Sequence, residues 1–188
     1  MHPTRNTASC GSGPDSGRAP SEPPPGAAPH PALADDEAAL AERGLRLAEA
    51  VAAALPAWVD RLMRQRVAAV GTGAAVPCEV PDEVVTAVAA QVEAEVLPRL
   101  RALLARDVDE QLQSPLAVLR TAAATVGGAL DALGVPPPER DDHQRQIFPD
   151  DHHNLVPATF ADLSEEAGRA GIEWGAAKAF VHRRRHRG

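Results

Sequence analysis

The residues best suited to chemistry lie close together near the C-terminus. In "FPDDHHNLVPATF", Asp150 and Asp151 stand directly before His152 and His153, and Asp141, Asp142 and His143 lie just upstream. Carboxylate oxygens and imidazole nitrogens are ligands for a divalent metal, and a carboxylate beside an imidazole can also do acid–base work. The spacing argues against both. Ligand pairs on a helix stand three or four residues apart, as in HExxH, so that both side chains reach one ion. Here the histidines are adjacent. The segment reads instead as a capped polar turn, with the aspartates accepting from nearby backbone N–H groups and Phe148 and Leu155 anchoring its ends. This reading assigns no metal, no cofactor and no catalytic residue.

A second concentration of function-bearing groups is "RRRHR". Arg183, Arg184, Arg185 and Arg187 place four positive charges at the end of a chain whose net charge is -7. Cations at a helix C-terminus meet the negative end of its dipole, so a solvated helix end is the first reading. Contact with an acidic partner or a nucleic-acid backbone is the second. The acidic balance and the lack of interleaved aromatics to stack bases both weigh against nucleic acid. Cys10 and Cys78 form neither a CxxC nor a Cys/His spacing, so no disulfide framework or zinc finger is indicated. GxSxG, P-loop and dinucleotide fingerprints are missing, and the "GTG" at Gly71 reads as a loop.

The elements that would position these groups are helical. Of 188 residues, 44% are hydrophobic but only 3% aromatic, so the core has to be Ala, Val and Leu. Ala and Leu are the strongest helix formers. Residues 1–32 are rich in Pro, Gly and Ser, with no periodic hydrophobes, and read as a disordered tail. Leu40, Leu47, Val51, Leu55, Trp58 and Leu62 then mark one face of a first helix, with a kink or break expected at Pro56. Val85, Val88, Val92 and Val96 mark a second helix, which opens at Pro81 and continues past Pro98 through Leu100, Leu104 and Val108. Ser114 and Pro115 open a third, carried by Leu116, Leu119, Ala123, Val126, Leu130 and Leu133. Gly134 and three prolines end it. Gly127 and Gly128 inside that helix imply close approach of a neighbour. Residues 141–157 read as turns, Asp162 and Glu165 as a capping box for a short helix, and "GIEWGAAKAFVHRRRHR" as a final helix.

The pattern "FPDD…L.P.TFAD…WGAAKAFVH.RR" resembles the C-terminal end of a family of uncharacterised proteins from high-GC Gram-positive bacteria. The resemblance covers about the last fifty residues. It carries no assigned activity and so implies no cofactor. It also implies a tyrosine in the "FPDD" loop where this chain has His152 or His153, which speaks against a metal site shared across that family.

The expected protein is all-α: a bundle of about three long, partly Pro-kinked helices over 33–138, with a C-terminal loop and helix over 139–188 packing on it. Its expected role is non-enzymatic, through contact with an unknown protein partner or by self-association. Trp174, Arg183, Arg184, Arg185 and Arg187 are the candidate contact residues. A metal-binding protein or metal-dependent enzyme using loop 141–153 is the alternative, and a nucleic-acid-associated factor using the Arg-rich end a second. No run approaches the ~18 apolar residues of a membrane span, and no secretory signal is visible, so a cytoplasmic location is expected.

Overall fold

The unbroken run of helix formers after Pro31 becomes one helix of 40 residues, α1 (Pro31–Val70). Pro56 lies inside it without interrupting it. The expected break is absent because Pro56 sits on the exposed side, where water can satisfy the carbonyl that the proline nitrogen cannot serve. Pro98 is placed the same way in α2 (Asp82–Leu104). The computed structural model describes residues 31–70, 79–111, 113–137, 141–147 and 155–187. Residues 1–30 of the expected disordered tail, both cysteines, Phe148 and the run Asp150, Asp151, His152 and His153 lie outside the described residues, while the tail's last two residues, 31 and 32, already belong to α1.

α2 runs antiparallel to α1. Arg64, near the end of α1, bonds Asp82 at the start of α2 (2.6 Å), while Gly44 lies against Leu104 at the end of α2. A 3₁₀ turn over Pro115–Val118 leads into α3 (Leu119–Ala132), with the Ser114 hydroxyl accepting from Leu116 N. Arg99 to Thr121 and Thr125 to Glu95 tie α3 antiparallel to α2. Gly134, at φ 74°, ends α3 in the left-handed region that only glycine enters easily. α4 (Asp142–Ile147) is a short exposed helix where turns were expected. Asp141 accounts for the difference: its carboxylate accepts from Gln144 N (2.7 Å), while the Gln144 side chain accepts from Asp141 N (3.3 Å).

The final helix, α5 (Glu165–Arg185), begins earlier than "GIEW" suggests. The expected capping box at Asp162 and Glu165 is displaced by one element. Thr159 and Asp162 form the box of a 3₁₀ turn over Phe160–Asp162, and Ser164 caps α5 by accepting from Ala167 N. "DLSEEAGRAG" and "GIEWGAAK" are therefore one helix. No strand occurs among the described residues, and no described helix is long and apolar enough to cross a membrane. The fold is all-α.

The core is the merged stripe of these helices. Leu47, Val51, Leu55, Val59 and Met63 of α1 meet Val92, Val96 and Leu100 of α2, all fully buried, with Leu119 and Val126 of α3 beside them. Leu62 is only partly buried, and Val59 and Met63 are fully buried beside Trp58. α5 packs on the bundle as expected, and it does so along α1.

Gly168 and Gly171 differ from Gly128 in what surrounds them, which gives a direct test. A Cβ at Gly171 would stand 2.5 Å from the Phe160 ring, and one at Gly168 would stand 2.8 Å from Ala161 Cβ, so these two let the 3₁₀ turn press on α5. A Cβ at Gly128 would meet nothing within 4 Å, so no neighbouring helix requires that glycine. Gly128→Ala should raise stability by about 1 kcal/mol, the ordinary helix preference of Ala over Gly. Gly171→Ala should lower stability, because Phe160 has to move. Chemical denaturation checks both, and a stabilising Gly171→Ala would contradict the packing described.

Candidate functional site

Among the described residues, the largest cluster of ion pairs forms where the end of α5 returns to the beginning of α1. Antiparallel packing brings Arg184 and Arg185 beside Asp36 and Glu37, and the turn after α2 adds Asp107 and Asp109. Because α1 starts at Pro31, Asp36 and Glu37 fall in its second turn, facing the arginines.

Arg185 is the hub. Its Nη2 and Nε bond Glu37 Oε1 (2.6 and 2.9 Å), and its Nη1 bonds Asp107 Oδ1 (2.5 Å) and Asp109 Oδ2 (3.1 Å). The planar fork of guanidinium N–H groups suits this multiple engagement, which the single ammonium of lysine would not reproduce. These hydrogen bonds, above all that to Asp107, push the Arg185 pKa up from its ordinary value. The same bond lowers the Asp107 carboxyl, helped by the Asp109 backbone N–H. Asp109 is lowered first by its hydrogen bond with His186 and then by Arg185. Arg184 pairs with Asp36 and also lies over the Phe180 ring, 5.6 Å from its centroid.

His182 and His186 occupy successive turns at the end of α5. Their Nε2 atoms lie 3.7 and 3.1 Å from the same oxygen, Asp109 Oδ1, and their ring centroids are 4.5 Å apart. All three side chains are exposed.

Beneath this surface cluster lies a small buried polar layer. Gln111 is 5% exposed, and its amide donates to Leu104 O and Arg106 O (3.3 and 2.7 Å), satisfying carbonyls that the end of α2 leaves open. Lys178, the one lysine of the chain, donates to Gln111 O (2.8 Å) and lies 5.4 Å from the Trp174 ring centroid. Burial lowers its pKa. Trp174 is buried at 6% exposure, with Nε1 directed at Gly44: a Cβ there would lie 3.7 Å from it.

The sequence candidates therefore divide. Trp174 belongs to the α1–α5 seam, not to the surface. Arg184 and Arg185 hold the chain's own acids, while Arg183 and Arg187 are exposed. Arg185, drawn in among three carboxylates, departs from the reading of "RRRHR" as a solvated helix end, while Arg184 stays exposed although it pairs with Asp36. In loop 141–153, Asp141 caps α4, Asp142 pairs with Arg145 (3.1 Å), and His143 is exposed on α4. Asp107, Asp109, Gln111, Glu37, His182 and His186 were missed. The four-residue spacing of His182 and His186 was legible on the expected final helix. Asp109, 77 positions from His186, offered no local signal.

No protein-family model, curated protein or solved structure matches the chain.

The depressed carboxyls set a direction with pH. Asp107 and Asp109 stabilise the folded state fully above the ordinary aspartate pKa, about 3.9. That contribution disappears as pH falls through their lower folded values. Below about pH 4, the last turn of α5 and the first turns of α1 should exchange amide hydrogens faster, after correction for the intrinsic rate, while the centre of the bundle stays protected. Arg185→Ala should give the same pattern at neutral pH. Hydrogen exchange read by mass spectrometry checks both, and unchanged ends in Arg185→Ala would show that the cluster clasps nothing.

Proposed function

We propose that the chain is a non-enzymatic helical contact protein, and that its contact surface is the outer face of α5, paired antiparallel with α5 of a second copy. The observation that carries this reading is an exposed apolar strip on that helix. Ile172 is 76% exposed and Phe180 46% exposed, with exposed Ala176 and Ala179 between them. A Cβ at Gly175 would meet nothing within 4 Å, so small side chains leave room there for another backbone.

The strip is self-complementary. Ile172 and Phe180 stand equally far in sequence from Ala176. Two α5 helices crossing antiparallel at Ala176 set Ile172 of one copy against Phe180 of the other, with alanines at the crossing. In this register Arg187 of one copy stands opposite Glu165 of the other, while Arg183 stands opposite Arg169. A symmetric dimer buries one patch on both subunits, the common arrangement for homo-oligomers. The arginine cluster supports the surface from behind, since Arg185 fixes the end of α5 against α1.

Sedimentation velocity across a concentration series tests this reading. The full chain should dimerise, and Ile172→Glu should shift it to monomer with its helical content unchanged, because Ile172 takes no part in the core. A monomeric full chain, or an Ile172→Glu dimer, would overturn it. A stable complex with a different protein through this face would replace the second copy as the occupant.

A further inference from the structure

We infer that His182, His186 and Asp109 form a three-ligand site for a divalent transition-metal ion of the zinc class, joining the end of α5 to the turn between α2 and α3. This site is distinct from loop 141–153 and independent of self-association.

The geometry carries the inference. Protein ligands stand about 2.0–2.1 Å from zinc, so tetrahedral neighbours are about 3.3 Å apart. The two imidazole Nε2 atoms lie 3.1 and 3.7 Å from Asp109 Oδ1, on either side of that edge length. All three donor atoms fall within 4.8 Å of one another. Closing the site needs only small rotations of exposed side chains. The histidines are four residues apart, His182 in the last turn of α5 and His186 at its C-cap, where the His186 N–H still bonds His182 O at 3.3 Å, so both imidazoles stay close to the spacing that directs two of them at one ion. Two nitrogens and one carboxylate oxygen make a borderline ligand set that suits zinc, cobalt, nickel or copper ahead of magnesium or calcium. The fourth position faces solvent and would hold water.

The surroundings orient the carboxylate. Arg185 bonds Asp109 Oδ2 at 3.1 Å, which leaves Oδ1 turned to the histidines. Asp107 accepts from Asp109 N at 3.0 Å and fixes the turn beneath it. Such outer contacts are how a protein aims a metal ligand. The nearby cationic charge is partly offset, because Arg185 also holds Glu37 and Asp107, and Arg184 holds Asp36.

Chelator-stripped, untagged full-length chain should be titrated with Co²⁺ by visible absorption and with Zn²⁺ by calorimetry. One ion per chain is expected, with a tetrahedral-type cobalt spectrum and a higher melting temperature on saturation, since binding favours the folded state. His182→Gln, His186→Gln and Asp109→Asn should each weaken binding at least about a hundredfold, the upper end of what even an outer-contact change costs. His152→Gln/His153→Gln should bind as the wild type does. The substituted side chains are exposed, so circular dichroism should show every variant folded. Failure to bind either ion overturns the site. So does binding that survives His182→Gln or is lost in the His152/His153 variant.

Discussion

Covering one face of a 40-residue helix is the constraint from which the rest of the architecture follows. α1 presents Leu40, Leu47, Val51, Leu55, Trp58, Val59, Met63 and Val67, nearly all withdrawn from water. At about 25 cal/mol per Å² of apolar surface, exposing such a stripe would cost more than a small domain's entire margin of stability. A sequence almost without aromatics covers it with Val, Leu and Ala on further helices that come close. α2 lies antiparallel along one flank and α5 along another, and α3 closes over α2. Both prolines of the long helices point to solvent, so neither breaks the face that must stay continuous.

The polar constellation is a consequence of that packing. An antiparallel α5 ends where α1 begins, so a basic helix end meets acids placed early in α1. The turn after α2 arrives at the same place because α2 is antiparallel as well. Three segments distant in sequence thus supply Glu37, Asp107 with Asp109, and Arg185 with its flanking histidines. Surface ion pairs taken singly contribute little. A guanidinium shared by three carboxylates acts instead as a fastener that fixes the register of α5 on α1. That register determines which face of α5 looks outward.

The helices and most of their core faces were legible in the sequence because hydrophobic spacing on a helix is a local property. The α2 stripe from Val85 to Leu104 and the end of α3 at Gly134 follow directly from it. Helix starts were less legible where two caps competed: Asp162 serves the preceding 3₁₀ turn and Ser164 takes α5. Residues 142–147 looked like turns because they lack an apolar face, and the Asp141–Gln144 box makes them helical anyway. The site itself was hardly legible. Asp107, Asp109 and Gln111 sit in an unremarkable polar loop, and only tertiary packing brings them beneath α5. "PDDHH" stands out by composition but not by spacing, whereas the four-residue spacing of His182 and His186 lies inside a basic run.

The arginine cluster and the outward face of α5 both depend on α5 lying docked along α1 with Trp174 in the seam. Fluorescence of Trp174 in a Trp58→Phe background reads this directly, since these are the two tryptophans of the chain. A docked helix predicts blue-shifted emission that resists a soluble quencher until the protein unfolds. Red-shifted emission, readily quenched under native conditions, would contradict it: α5 would then be free, and neither the arginine cluster nor the outward face of α5 would exist as described.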